Sequence, residues 1–282
     1  MKYSSIRAVI FHRILLSSLI WVSGLSLGYS TLVSAEPKRL VQQKAQEIFQ
    51  THRRAKKALL GVISEPEIRS YFTEQNPEKR EALRQEIEKI TVKFSGFFNI
   101  SEMCLIDIHG HEITRVDHGK VSHELSLEEA ELPFFAPGFA AEEGVVITSP
   151  IYTSPDSHKV VAAYVTPIYI NAKPVAILHY EHDLSALQKK LVRGLEPGQV
   201  VVAVDSEGRV TVDSRRAELS GRDIKTLRQH GEALFTSQIF DGLDVATVSQ
   251  MIDNGDPIPG YTGAYKRVGL WTIYSFQATR NL

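Results

Sequence analysis

The stretch Met103 to Asp117, MCLIDIHGHEITRVD, restricts the fold more than any other part of the chain. Leu105, Ile106 and Ile108 are strand formers, His109-Gly110 supplies a tight turn, and Ile113 to Val116 resumes the extended pattern. The same design returns at Val200 to Asp213, VVVAVDSEGRVTVD. Asp107 to Gly110 and Asp205 to Gly208 share the spacing D-x-x-G, so the chain carries two hairpins of one type. Two similar α/β units in tandem, each opened by a hairpin, account for the repeat.

A length of 282 residues, 43% hydrophobic and 23% charged, suits one large globular domain or two smaller ones. The formal net charge of −1 gives no basic stripe for a phosphate backbone, so nucleic acid is not an expected partner. Cys104 is the only cysteine, which excludes an intramolecular disulfide and a cysteine-rich metal site. At the N-terminus Lys2, Arg7 and Arg13 precede an apolar run from Ile14 to Val33, closed by Val33-Ser34-Ala35. A basic start, an apolar middle and small residues at the end make a secretory signal over residues 1–35. The run is also nearly long enough for an uncleaved membrane anchor. Either reading exports the remainder, to the periplasm or an equivalent extracytoplasmic space.

Residues 37–97 read as a long helical stem, with Leu40, Ile48 and Phe49 as early apolar positions. His52 to Lys57 is a basic, solvated face. Ser64-Glu65-Pro66-Glu67 has the form of a capping box, and Asn76-Pro77 is a second helix start, so a break or a kink is expected near the two prolines. Leu83, Ile87, Ile90 and Phe94 then mark one helical face. The stem should cover a sheet, and its stripe offers a surface for a homodimer. Beyond the first hairpin, Ser126 to Ala130 starts a short helix and Leu132 to Phe139 reads as an apolar loop. Strands follow at Val145 to Tyr152, Lys159 to Ile170 and Val175 to Glu181, the last two joined at Asn171-Ala172-Lys173. Leu184 to Leu191 is a helix and Gly194 to Gly198 a linker. The second unit should hold a polar helix near Asp223 to His230 and strands Asp244 to Ile252, Tyr261 to Arg267 and Trp271 to Gln277.

The ordered set resembles the double Cache family of extracytoplasmic sensor domains. The features that carry it are the stem helix, Leu105-Ile106-Asp107 with Gly110 and Glu112-Ile113-Thr114-Arg115-Val116-Asp117, and Ser149-Pro150-Ile151-Tyr152. Val165-Thr166-Pro167-Ile168, Pro174-Val175-Ala176-Ile177 running into Leu184-Ser185-Ala186-Leu187, and Gly269-Leu270-Trp271-Thr272-Ile273 complete the set. The resemblance implies an α+β fold: a helical stem over residues 36–97, a membrane-distal PAS-like unit over 98–193 and a membrane-proximal one over 194–282. It implies a small-molecule ligand in the distal unit (an organic acid, amino acid or amine) and signalling through a separate histidine kinase, cyclase or chemoreceptor. The chain departs from the family by having Leu132 to Phe139 where many amino-acid-binding members carry R-x-x-W-Y, and a module without its own output domain is expected.

Strand parity supplies candidate ligand residues. On Lys159 to Ile170, Val161, Ala163 and Val165 form an apolar face suited to the stem, and Tyr164 and Thr166 form the other. On Val175 to Glu181, His179 and Glu181 lie opposite Ala176 and Leu178. If the polar faces align, Tyr164, Thr166, His179 and Glu181 line one cavity, closed by Tyr152 and Arg115. Glu181 also falls where family members often place a ligand-binding aspartate. His109, His111, His118 and His123, with Glu112 and Asp117, invite a metal reading, but their spacing matches no closed zinc motif and the bland reading is a solvated turn. No nucleophile elbow, Walker loop or HExxH motif is present, and Cys104 reads as a small core residue, so neither catalysis nor a cofactor is expected. The competing readings are a soluble periplasmic carrier, an interaction scaffold with a vestigial pocket, and a hydrolase.

Overall fold

The computed structural model describes residues 35–96, 102–216 and 236–279. Residues 1–34 of the expected leader, and the helix expected near Asp223 to His230, lie outside that range. Three helices come first: α1 (35–63), α2 (Pro66–Thr73) and α3 (Pro77–Ser95). At about 1.5 Å per residue, α1 is roughly 40 Å long. Its buried positions, Leu40, Val41, Ala45, Ile48, Ala55, Leu59 and Val62, recur at helical spacing on one stripe. Lys44 lies on the same stripe at 1% exposure and is satisfied by donating to the Arg193 carbonyl at 2.8 Å. The prolines begin new helices, so the stem is broken there, one of the two outcomes expected. Pro66 and Pro77 sit in the first turns, where a missing N–H removes no helical bond. The Asn76 side chain caps α3 by accepting from the Glu78 and Lys79 amides. The expected capping box at Ser64 is not formed. Glu65 is the N-cap without a side-chain bond, and Ser64 Oγ donates to the Gly61 carbonyl instead.

The larger sheet has seven antiparallel strands: β1 (Glu102–Asp107), β2 (Glu112–Asp117), β3 (Lys120–Ser122), β4 (Ile147–Thr148), β5 (Tyr152–Thr153), β6 (Val160–Ile170) and β7 (Lys173–Asp183). They run in the order β3-β2-β1-β7-β6-β4, and β5 also pairs with β6. Asn171 and Ala172, both at positive φ, make the two-residue turn between β6 and β7. A one-turn α4 (Phe135–Ala140) crosses this sheet, where a loop was expected. Gly138 permits it: a Cβ there would lie 2.7 Å from Val165 Cγ1. After α5 (Leu184–Val192), the smaller sheet holds β8 (Gln199–Val204), β9 (Val210–Asp213), β12 (Tyr261–Val268) and β13 (Trp271–Ala278), in the order β12-β13-β8-β9. A separate pair, β10 (Gln238–Phe240) and β11 (Leu243–Asp244), leads into α6 (Val245–Asn254). A strand was expected over Asp244 to Ile252. The β-branched run Val-Ala-Thr-Val misled that reading, while the Asp244 cap onto the Thr247 amide and Gly255 at φ 76° bound a helix.

The repeat is structural. β9-β8-β13-β12 has the connectivity of β2-β1-β7-β6, and each hairpin shifts register two residues before its turn aspartate, at Leu105/Ile106 and at Ala203/Val204. In both turns the aspartate Oδ1 accepts from the amides two and four residues on: His109 and His111 in one, Glu207 and Arg209 in the other. The turn glycine amide donates to the aspartate carbonyl in each.

α1 ties the two sheets together. Its first half, through Leu40, Val41, Ala45 and Ile48, packs in one core with Val201, Ala203, Trp271 and Ile273 of the smaller sheet. Its second half, through Ala55, Leu59 and Val62, joins α2, α3 and the larger sheet's Met103, Leu105, Tyr164, Leu178 and Tyr180. Phe49, expected to be apolar stem surface, is 49% exposed. Arg53, Arg54, Lys56 and Lys57 are exposed as expected, but His52 turns inward to the sheet.

Candidate functional site

Register settles which side chains meet. Directly opposed residues of antiparallel strands share a face. Tyr180 on β7 lies opposite Met103 and Tyr164, and Leu178 lies opposite Leu105 and Thr166. Those residues face the stem. His179 lies opposite Cys104 and Val165, and Glu181 opposite Glu102 and Ala163. These face the other way, under α4 and Phe134. The expectation that Val161, Ala163 and Val165 pack on the stem is therefore corrected: the large aromatics take the stem side, and Ala163 and Val165 lie on the α4 side. Tyr164 and Thr166 do not share a cavity with His179 and Glu181. Tyr164 Oη bonds His52 Nδ1 on α1 at 2.5 Å, and Thr166 Oγ1 donates to the Val145 carbonyl at 2.9 Å.

The α4 side concentrates the chemistry, and there the structure brings Arg115, Tyr152, His179 and Glu181 into one cluster. Arg115 is opposite Cys104. Its guanidinium reaches Glu102 Oε2 at 2.9 Å, Asp156 Oδ2 at 2.8 Å and Glu112 Oε2 at 3.8 Å. Tyr152 Oη donates to Glu181 Oε1 at 2.6 Å and lies 3.2 Å from His179 Nε2. The His179 ring stacks on Phe134, with centroids 4.0 Å apart and an interplanar angle of 9°. Cys104 Sγ donates to Glu102 Oε1 at 3.1 Å, and Glu112 Oε2 accepts from the Ser126 amide at 2.7 Å. Glu129 is buried beside Glu112 and Asp156.

Burial dominates the electrostatics. Desolvation pushes Glu112 and Glu129 up to about 7 and Glu181 up to about 8, and Glu102 rises for the same cause against the pull of Arg115. It holds His179 down to about 3, so that imidazole is neutral. Two triads, Glu102/Cys104/Glu112 and Glu112/Glu129/Asp156, bring ligand atoms within 4.8 Å of one another and could hold a metal. The Arg115 guanidinium already occupies the notch between them. His109, His111, His118 and His123 are exposed on and after the hairpin, apart from this cluster.

Sequence reasoning missed Glu102, Glu129, Asp156, Cys104 and Phe134 as members of this cluster. Glu112 enters the sequence reading in the family-like hairpin and beside the exposed histidines, not as a pocket residue. Glu102 was findable, because pairing the first hairpin with the Glu181 strand in the PAS-like order places the two carboxylates side by side. Glu129, Phe134 and Asp156 come from irregular chain, where no periodicity points to them. In the smaller sheet a cleft of about 650 Å³ is lined by Asp205, Ser249, Arg267 and Tyr274, among others. It is a weaker candidate: Asp205 is held by Arg209 at 2.7 Å and by turn amides, and Tyr274 Oη by Ser249.

A helical stem and tandem antiparallel units make an α+β architecture, and solved structures share that fold. The sensory ligand-binding domain of the Campylobacter jejuni chemoreceptor Tlp3, in complex with L-norvaline, matches at TM-score 0.62 and 14% identity, over 90% of this chain and 92% of that one. The sensor domain of the V. cholerae histidine kinase DctB matches at TM-score 0.57 and 13% identity, over 89% and 99%. A domain of a putative sensory box/GGDEF family protein from Vibrio parahaemolyticus matches at TM-score 0.61 and 12% identity, over 89% and 97%. No protein-family model matches the chain, and no curated protein does. Among the described residues no helix is long and apolar enough to cross a membrane.

Proposed function

We propose that this chain is an extracytoplasmic sensor module of double Cache type. In this reading 36–97 is the stem, 98–193 the membrane-distal ligand-binding unit and 194–282 the membrane-proximal unit. The observation that carries it is the cluster of Arg115, Tyr152, His179 and Glu181 with Glu102, Glu112 and Glu129. Buried ionisable groups cost several kcal/mol each unless paired, and they gather at sites that bind. The ligand would lie on the α4 side of β7, β1 and β2. It would act by favouring one arrangement of sheet and stem, since β6 and β7 carry pocket residues on one face and the stem contacts Tyr164 and Tyr180 on the other. A membrane histidine kinase, cyclase or chemoreceptor would read that arrangement.

The test is a thermal-shift screen of the full chain against organic acids, amino acids, amines and purines. A compound at one hundred times its Kd stabilises by about 2.7 kcal/mol. At least one class should raise Tm by several degrees in the parent and not in Glu181→Gln. Compounds that stabilise both equally would remove the site from this face.

A further inference from the structure

The cluster is unbalanced in charge, and the imbalance has a direction. Glu102, Glu112, Glu129, Glu181 and Asp156 contribute five carboxyls, and Arg115 is the one basic side chain among the described residues that pairs with Glu102, Glu112 and Asp156. Its two terminal nitrogens are spent on Glu102 and Asp156. Among the described residues a carboxylate ligand would find no further cation paired with this cluster, and it would add acceptors to a site already crowded with them. Three buried atoms of these residues also stand without a hydrogen-bond partner: Oε1 of Glu112, Nε of Arg115 and Nδ1 of His179. An orphaned buried carboxylate oxygen needs a donor, and leaving it so costs about 1–3 kcal/mol or more.

Resting on the reading of this face as the ligand site, we propose that its ligand is an organic ammonium that carries no carboxylate. An ammonium supplies three donors and no acceptor. Glu112, Glu129 and Glu181 would receive it. The rings of Phe134 and Tyr152, with centroids 5.8 Å apart, would flank its alkyl body and present faces to the cation. A hard divalent metal fits less well. It wants six or more oxygens, and at Glu112 and Asp156 it would sit against the guanidinium. Raised carboxyls also mean that binding displaces protons, so affinity should rise with pH towards 8.

The experiment uses the purified full chain and a series of matched length: butan-1-amine, butane-1,4-diamine, 4-aminobutanoate and butanedioate, with calcium and magnesium chloride beside them. Thermal shift is followed by calorimetric titration at pH 6 and pH 8. The two amines should raise Tm and bind at least tenfold more tightly at pH 8 than at pH 6, and the other four should not. Glu181→Gln and Glu129→Gln, both isosteric, should each weaken the amines at least tenfold. Butanedioate or 4-aminobutanoate binding better than the amines, with loss in Glu181→Gln, would overturn the ammonium and keep the site. Stabilisation by the metal salts in place of the amines would overturn it likewise. No response to any amine overturns it too, leaving the site to the wider screen. Amine binding that ignores both variants would overturn the ammonium and the site together.

Discussion

The two sheets share one connectivity and one turn chemistry, yet their α-helix-covered faces differ in kind. Aligned on the turn aspartates, Cys104 opposite His179 corresponds to Val202 opposite Tyr274, and Glu102 opposite Glu181 to Val200 opposite Phe276. The smaller sheet fills that face with Val200, Val202, Val204, Tyr274 and Phe276 under Val248 of α6. The larger sheet sets Ile106, Ala163, Val165 and Ile177 under α4 and adds to that face carboxyls, an imidazole and a thiol. An apolar face gains stability from burial alone, and a face of desolvated carboxyls does not. The duplicated scaffold therefore separates two tasks: one copy packs, and the other holds groups whose presence burial does not explain.

The largest break in that comparison should come from the arginines. Removing one partner of a buried charge group leaves the others uncompensated, at about 3–5 kcal/mol, whereas removing the part-exposed Arg209 leaves the Asp205 carboxylate still held by two turn amides and should cost less. Arg115→Met should lower the unfolding free energy by the larger amount in urea titrations at pH 8, and Arg209→Met by the smaller. Equal losses would mean that the two sheets are not electrostatically different.

A smaller contrast lies in two tyrosines. Tyr164→Phe strands the His52 imidazole between α1 and the sheet, which should cost about 1–3 kcal/mol. Tyr274→Phe should cost about 1 kcal/mol, because Ser249 Oγ keeps its bond to the Val245 carbonyl. Denaturant midpoints of the two variants at constant m-value decide it.

The pH profile should show the gentlest effect, and the signs run both ways. His52, His179 and His182, held down to about 4, 3 and 4, stay neutral in the fold, while the unfolded chain takes up protons below 6.5. Stability is then lost as pH falls through that range. Glu112, Glu129 and Glu181, pushed up to about 7, 7 and 8, hold protons that the unfolded chain releases near 4.5. Stability is lost to them as pH rises towards 8. Above 6.5 only the glutamates act, so the unfolding free energy should fall between pH 6.5 and 8, by at most about 1.4 kcal/mol per pH unit for each group. Glu129→Gln and Glu181→Gln should each flatten that limb. An unchanged slope in both would show that these carboxyls are not desolvated.

Much of this contrast can be read from the sequence. The D-x-x-G repeat places both hairpins, and alternation along Trp271 to Gln277 separates Tyr274 and Phe276 from Trp271 and Ile273 correctly. Alternation on β7 likewise puts His179 and Glu181 on one face. Parity cannot say which face meets the stem when both strands carry apolar residues on both faces. Ala163 and Val165 were paired with the stem for their hydrophobicity, although small residues there leave room for α4, and Tyr164 and Tyr180 have the bulk to reach α1. The helix at Val245–Asn254 was missed because β-branched residues outweighed its cap signals. Glu129 and Asp156 depend on how irregular chain closes over the sheet, a long-range outcome with no local signature.

The central claim is that ligand binds on the polar face of the larger sheet. Its most direct test is the affinity of the best stabiliser from the screen for three proteins, measured by calorimetry: the parent chain, Glu181→Gln and Tyr274→Phe. Affinity reduced tenfold or more in Glu181→Gln and unchanged in Tyr274→Phe is the predicted result. Affinity unchanged in Glu181→Gln and lost in Tyr274→Phe, with both variants folded by circular dichroism, would contradict it and move the site to the smaller sheet.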